Sequence, residues 1–160
     1  KTGERIPAEL VAKVKRALTF QAGLGGLRQI SLGMLDMAWH THDLSAVKTA
    51  TDVVAFEHKA MAPYRVLPPK EGALTSASFA HIFAGGYAAG YYSYKWADVL
   101  AADAFGVFES EGVFDEETSQ RFRREVLEKG GTEEAAVLYR RFRGGDPDPQ
   151  ALLRKEGLAG

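Results

Sequence analysis

The chain has 160 residues, with 20 Lys and Arg against 21 Asp and Glu, and its net charge of −1 gives no electrostatic basis for binding nucleic acid or an anionic membrane. It has no cysteine, which excludes a disulfide scaffold, a thiolate metal site and a Cys nucleophile. The composition, 46% hydrophobic and 26% charged, is typical of a globular domain, and no apolar run reaches the roughly 20 residues that span a bilayer. We therefore expect residues 1–160 to form a single folded unit.

Apolar residues recur at helical spacing, and no clear stretch alternates as a strand would, so an all-α fold is predicted. The first helix should begin near Pro7, because proline suits a first helical turn. Its expected buried stripe consists of Leu10, Val11, Val14, Leu18 and Ala22. The pattern resumes from Leu27 to Met37, which leaves open whether Gly25–Gly26 breaks the helix.

The run His40–Asp43 predicts a helix end. A third helix is expected from Ser45 to Met61, with Val47, Ala50 and Val54 facing inward. Prolines and a glycine at 62–72 predict a loop. A helix starting at Ser76 or Ser78 follows.

A long apolar helix is predicted from Tyr87 to Glu111. Three shorter helices should follow. Asp115 is expected to cap the first at its N-terminus and Thr132 the second, while residues 146–149 open the last. The sum is an all-α array of seven or eight helices.

Residues 81–96, HIFAGGYAAGYYSYKW, hold four of the six tyrosines. On a helix Tyr87, Tyr91 and Tyr94 would share one face. Each buried phenol needs a hydrogen-bond partner, so three hydroxyls on one face suit the wall of a polar cleft. A packed aromatic seam whose hydroxyls reach solvent or backbone is the alternative.

His81 precedes this face across Gly85–Gly86, and glycine permits backbone angles that could turn His81 toward the tyrosines. A core or surface histidine is the other interpretation. The spacing of Gly86 and Gly90 favours close helix packing. His40 and His42 read as solvated side chains, because no third ligand for a metal is evident nearby.

Residues 79–105, FAHIFAGGYAAGYYSYKWADVLAADAF, resemble the signature near the C-terminus of the thimet-oligopeptidase-like zinc metallopeptidases, and within that family the oligopeptidase A branch. The flanking segments resemble the same region: LDMAWH at 35–40, FDEETSQRFRREVLEKGG at 114–131 and LYRRFRGGDPDPQALLRKEGL at 138–158. The resemblance thus covers essentially the whole chain.

This resemblance implies a largely helical, zincin-type enzyme whose deep channel admits short peptides. Tyr94 would donate a hydrogen bond to the tetrahedral oxyanion, and His81 would assist at the substrate or oxyanion. Tyr87 would bind the substrate backbone, and Tyr91 is a weaker candidate. Gly85 and Gly86 would belong to the same substrate-binding segment.

The HExxH helix and the downstream Glu that hold zinc in this family are missing from the sequence. The chain is therefore expected to be the C-terminal fragment of a longer cytoplasmic peptidase, with zinc in the full-length enzyme and none in this chain. Its partners would be short peptides and the missing N-terminal zinc-binding portion. An exposed tyrosine face would also favour self-association. A non-catalytic peptide-binding module and a plain helical interaction domain remain alternatives.

Overall fold

The computed structural model describes residues 3–159, and in that part of the chain the fold is all-helical with eight α-helices and no strand. The α-helices are α1 Ala8–Thr19, α2 Ala22–Thr41, α3 Ala50–Met61, α4 Ala80–Phe83, α5 Ser93–Glu111, α6 Glu116–Phe122, α7 Ala135–Arg143 and α8 Gln150–Lys155. Short 3₁₀ turns lie at Ala62–Tyr64 and Ser76–Ser78, and a π-helical turn at Arg123–Leu127 follows α6. The predicted all-α array of seven or eight helices is confirmed. No described helix is both long and apolar enough to cross a membrane.

The chain divides within α5 into two compact units, one up to Trp96 and one from Ala97 onward. A single folded unit therefore stays a prediction. The core of the first unit is formed by buried side chains from α2, α3 and the segment around α4: Leu32, Leu35, Met61, Phe79 and Ile82. Tyr87 and Tyr91 are half-buried against that core. The candidate site residues thus lie at the edge of the first unit's hydrophobic core.

The second unit has a smaller core. Val99, Ala102 and Leu152 are buried together, and the rings of Phe122 and Phe142 pack edge to face 5.0 Å apart. Asp103, also buried in this unit, accepts hydrogen bonds from the Tyr139 hydroxyl and from Nε and Nη2 of Arg143. Pairing of this kind is what makes a buried carboxylate tolerable in an apolar interior.

The predicted buried stripe of α1 is wrong, since α1 contains no buried residue. Leu10, Val14 and Leu18 expose 48%, 59% and 78% of their surface. Amphipathic spacing identifies a face that is able to be buried, but burial needs a second surface, and residues 3–159 do not cover this one. α2 runs unbroken through Gly25–Gly26, and the break falls instead at Gln21, whose φ is 55°.

α3 begins at Ala50, five residues later than predicted, because Thr49 and Asp52 form a capping box: each side chain accepts a hydrogen bond from the other's backbone N–H. The predicted inward positions of Ala50 and Val54 are also wrong, since both are exposed. The buried residues of α3 are Glu57 and Met61 instead.

In the second unit, the predicted N-cap of α6 is confirmed, since the Asp115 carboxylate accepts the Thr118 N–H at 2.7 Å. The predicted cap of α7 is wrong. That helix begins at Ala135 with Glu134 at the N-cap position, and Thr132 lies in the preceding turn, where its N–H donates to the Lys129 carbonyl.

Candidate functional site

Tyr87, Tyr91 and Tyr94, which we call the tyrosine cluster, come together in the first unit. The ring centroids of Tyr87 and Tyr94 are stacked 5.2 Å apart, and that of Tyr91 lies 5.1 Å from Tyr94 and 6.4 Å from Tyr87. The predicted helix beneath them is nevertheless wrong at its start. α5 begins at Ser93, and Tyr87 and Tyr91 lie in the turns before it. The three rings converge because of those turns and not because of helical spacing.

The structure also brings His81 to this cluster. Its ring centroid lies 6.2 Å from that of Tyr87 and 6.1 Å from that of Tyr91. The backbone between them is closed by a hydrogen bond from the Tyr87 N–H to the His81 carbonyl at 3.1 Å. His81 and Tyr94 are both exposed, so a ligand can reach them.

The turn between His81 and Tyr87 requires both of its glycines. A Cβ on Gly85 would stand 2.8 Å from the His81 Cα and 2.9 Å from the His81 carbonyl oxygen, closer than real atoms approach. Gly86 has a φ of +81°, in the left-handed region that favours glycine. A Cβ on Gly86 would meet nothing within 4 Å, and a Cβ on Gly90 would meet only the backbone of Tyr87 and Ala88 in its own turn, so the helix-packing role predicted for Gly86 and Gly90 is wrong.

A buried carboxylate holds the segment after this turn. Asp36 on α2 is 0% exposed, and its two oxygens accept the N–H groups of Ala89 and Tyr91, each at 2.9 Å. His40, one helical turn further along α2, places Nδ1 2.9 Å from Asp36 Oδ1. His40 is exposed, as the sequence predicted, but its ring also contacts Asp36, since Nδ1 lies 2.8 Å from the Asp36 carbonyl oxygen.

A second buried carboxylate holds the segment before the turn. Glu57 on α3 is 0% exposed and accepts the N–H groups of Thr75 at 3.0 Å and Ser76 at 2.7 Å. The Ser76 hydroxyl donates to Glu57 and accepts the indole N–H of Trp39. Burial by itself raises the pKa of Glu57, but these hydrogen bonds outweigh it and hold that pKa below its ordinary value.

The hydroxyl of Tyr94 is held in its protonated form. A hydrogen bond with Tyr87, followed by partial burial and the nearby phenols of Tyr87 and Tyr91, raises the pKa of Tyr94 above its ordinary value. A phenol in this state is a hydrogen-bond donor at neutral pH. The cluster therefore places a phenol that is 43% exposed near an imidazole.

No three His, Asp or Glu side chains in the described part of the chain are grouped so that they could hold a metal ion. His42 is exposed, and its ring packs edge to face near Phe56 at 6.1 Å.

Asp36 and Glu57 are the positioning groups that sequence reasoning missed. Each is a single acidic residue on the apolar side of its helix, Asp36 in LGMLDMAWH and Glu57 in VVAFEHKAM. A charge on the apolar side of a helix needs a buried partner, and that was the available signal. The backbone partners of Asp36 and Glu57, 18 to 55 residues away, were not visible in the pattern.

Known proteins are similar to this chain over nearly its whole length. The sequence profile of Peptidase family M3 matches residues 1–158. Oligopeptidase A of Escherichia coli is 45% identical over 162 residues, which cover 99% of this chain and 23% of that protein. A dipeptidyl carboxypeptidase of Salmonella typhimurium is 36% identical over 98% of this chain and 23% of its own length. A thimet-like oligopeptidase of Dictyostelium discoideum is 30% identical over 97% of this chain and 22% of its own length.

The chain thus spans less than a quarter of the length of these relatives. The resemblance found in residues 79–105 is confirmed, and the match extends well beyond the tyrosine segment to nearly every residue. On that evidence the chain belongs to peptidase family M3.

Proposed function

We propose that this chain forms the substrate-binding and oxyanion-stabilising C-terminal part of a zinc-dependent oligopeptidase that hydrolyses short peptides. The observation that carries the proposal is the convergence of His81 with the tyrosine cluster, since centroid distances of 5.1 to 6.4 Å gather an imidazole and three phenols in one place. Family membership supports it, as do relatives named oligopeptidase A.

Attack on a peptide carbonyl creates an oxyanion, and a donor aimed at that charge stabilises the transition state more than the ground state. Tyr94 is the proposed donor, because it is 43% exposed and a phenol is protonated, and so able to donate, at neutral pH. His81 would assist at the substrate or oxyanion, and Tyr87 would bind the substrate backbone. Tyr91 is the weaker candidate. Gly85 and Gly86 would line the same substrate path.

The proposal is tested by Tyr94→Phe in the protein that carries this chain together with its zinc-binding portion. We expect kcat to fall about 10²–10³-fold with KM nearly unchanged, as for the loss of one oxyanion donor. Tyr92→Phe is the control, because Tyr92 is 60% exposed and lies outside the cluster. An unchanged kcat in Tyr94→Phe would remove Tyr94 from the reaction.

Zinc, when bound, supplies Lewis acidity and an activated water in such enzymes. The described residues do not fit a zinc site, so in this proposal the ligands belong to a portion outside this chain. The isolated chain should then bind no stoichiometric zinc and cleave no peptide. Equilibrium dialysis with zinc and incubation with a short peptide check this, and zinc-dependent cleavage by the chain alone would contradict it.

Several further expectations belong to the same proposal: a cytoplasmic enzyme, short peptides as substrates, and an endopeptidase rather than a dipeptidyl-carboxypeptidase. The identity of 45% to oligopeptidase A, against 36% to a dipeptidyl carboxypeptidase, favours the last of these.

A non-catalytic peptide-binding or interaction module is the second candidate, and the exposed apolar stripe of α1 favours it. The gene upstream of the Lys1 codon separates the two. An in-frame HExxH followed some tens of residues later by a Glu would support the peptidase, whereas a start codon directly before Lys1 would support the module.

A further inference from the structure

We infer that Asp36 is a positioning residue for the tyrosine cluster: it holds the chain after Gly86 out of helical conformation, so that Tyr87 and Tyr91 meet His81 and Tyr94. The structural half of this inference stands by itself, and its catalytic consequence rests on the proposed function.

The Asp36 carboxylate accepts two hydrogen bonds from backbone N–H groups. Both carboxylate oxygens are used, one on the Ala89 N–H and one on the Tyr91 N–H, two residues apart and more than 50 residues away in sequence. The carboxylate is fully buried, so water does not compete for these bonds. Its charge faces His40 Nδ1 on the same helix.

The residue between the turns is held in an unusual conformation. Ala89 has a φ of +53°, a left-handed angle that a residue with a Cβ adopts only when its surroundings impose it. Its N–H is bound to Asp36. A residue in this conformation cannot continue a right-handed helix, so α5 begins only at Ser93.

Local sequence preference favours a different conformation for this segment, a continuous helix. Apolar spacing from Tyr87 onward predicts an unbroken helix to Glu111. On such a helix Tyr87 and Tyr94 would be about 10 Å apart along the axis, at 1.5 Å rise per residue, whereas their rings stack at 5.2 Å here. A conflict between local preference and final structure is expected at functional sites, and Asp36 resolves this one in favour of the cluster.

Asp36→Asn is the test variant, because the amide keeps the size of the carboxylate but offers one acceptor oxygen to two N–H groups. In the full chain, with ¹³C-labelled tyrosine, we expect loss of the Tyr87–Tyr94 ring cross-peaks. The pKa of Tyr94 should also move down toward its ordinary value as its contact with Tyr87 is lost.

Asp103→Asn is the matched control. Asp103 is 4% exposed and bound by Tyr139 and Arg143 in the second unit, so its loss should perturb Tyr139 and leave the cluster signals in place. Unchanged cluster cross-peaks and an unchanged Tyr94 pKa in Asp36→Asn would overturn the inference, as would equal effects from both variants.

Amide exchange of the unmodified chain tests the inference without relying on a variant that folds. The N–H groups of Ala89 and Tyr91 lie outside any helix, yet they should be protected because a buried carboxylate accepts them. Exchange as fast as in the unfolded chain would overturn the inference.

Kinetics of the full-length protein separates this inference from the proposed function. Misplaced catalytic groups should lower kcat by about 10²-fold in Asp36→Asn, with a smaller change in KM and with no loss in Asp103→Asn. Loss of the cross-peaks together with a full kcat would keep Asp36 as the positioning residue and reject the catalytic role of the cluster.

Discussion

Gly85 shows how one missing side chain shapes the candidate site. Because a Cβ there would stand 2.8 Å from the His81 Cα, Gly85→Ala must push the backbone of His81 away, and we expect a loss of about 1–3 kcal/mol in the free energy of unfolding. Gly25→Ala is the control. Gly25 lies within α2 with nothing within 4 Å, so alanine should stabilise the chain by about 0.5–1 kcal/mol. Urea unfolding of both variants measures the difference, and equal effects would contradict it.

For single residues, the sequence predicted which side chains form the candidate site but not which groups hold them in place. His81 and the three tyrosines were identified by resemblance and by spacing, and the structure brings their rings together. Asp36 and Glu57 could not be assigned a role, because a buried carboxylate is explained only by its partners. The partners that tie these carboxylates to the site segment include backbone N–H groups, which carry no signature in the sequence.

The eight helices were predictable as a class because helical periodicity is local, whereas their ends and buried faces depend on distant contacts. α1 and α5 illustrate the two kinds of error. The apolar stripe of α1 was predicted to be buried and is exposed, since the described residues do not cover it. The start of α5 was placed six residues early, because Asp36 acts on that segment from another helix.

The exposure of α1 leads to a prediction about stability. Leu18 is 78% exposed, and Leu18→Ala should change the free energy of unfolding by less than about 0.5 kcal/mol. Leu35 on α2 is 0% exposed, and the same truncation there should cost about 2–5 kcal/mol. Chemical denaturation checks both values. A large loss in Leu18→Ala would mean that α1 is covered in solution.

Self-association is the corresponding prediction about surfaces. We expect the isolated chain to associate through the apolar stripe of α1, because contiguous exposed apolar side chains favour burial against another copy. Leu10→Glu combined with Val14→Glu should shift sedimentation toward the monomer, with little effect on stability since both positions are already exposed. Tyr92→Glu, a charge at an exposed position outside α1, is the control. If the α1 variant associates as strongly as its parent, the α1 stripe is not the contact surface. The tyrosine cluster, which the sequence suggested first, then becomes the expected one.

For the whole molecule, the all-α class was predictable from the composition and from the helical spacing of apolar residues. The division into two compact units near Trp96 was not predictable. It falls inside α5 between Trp96 and Ala97, and no proline, glycine or polar linker marks that point. A boundary within a helix is set by which side chains the rest of the chain packs against. Such contacts are long-range, so a single sequence cannot reveal them.

Ionisation of the whole molecule predicts how its stability depends on pH. The carboxyl groups whose pKa lies below the ordinary value are Asp43, Asp52, Glu57, Asp103, Glu111, Asp115, Glu133 and Asp148. In each case the folded state favours the charged form, so the stability they contribute is present above the unfolded pKa of about 4 and is lost as pH falls below it. The pKa values of Tyr94 and Tyr139 are raised, so their contribution is present below about pH 10 and is lost above it. Stability should therefore be highest between about pH 5 and pH 10.

The variant Glu57→Gln tests how much one carboxylate contributes to this dependence of stability on pH. The variant should be less stable than the parent at pH 7, because one amide oxygen replaces two carboxylate oxygens that bind Thr75 and Ser76. It should also lose stability less steeply between pH 4.5 and pH 3, by at most the ~1.4 kcal/mol per pH unit that one proton contributes. Thermal or urea unfolding across that range measures both effects, with Glu109→Gln removing the same charge from an exposed position as the control. Glu57 binds the segment that leads into His81. If Glu57→Gln and its parent lose stability equally steeply as the pH falls, the charge of this carboxylate does not hold the folded segment.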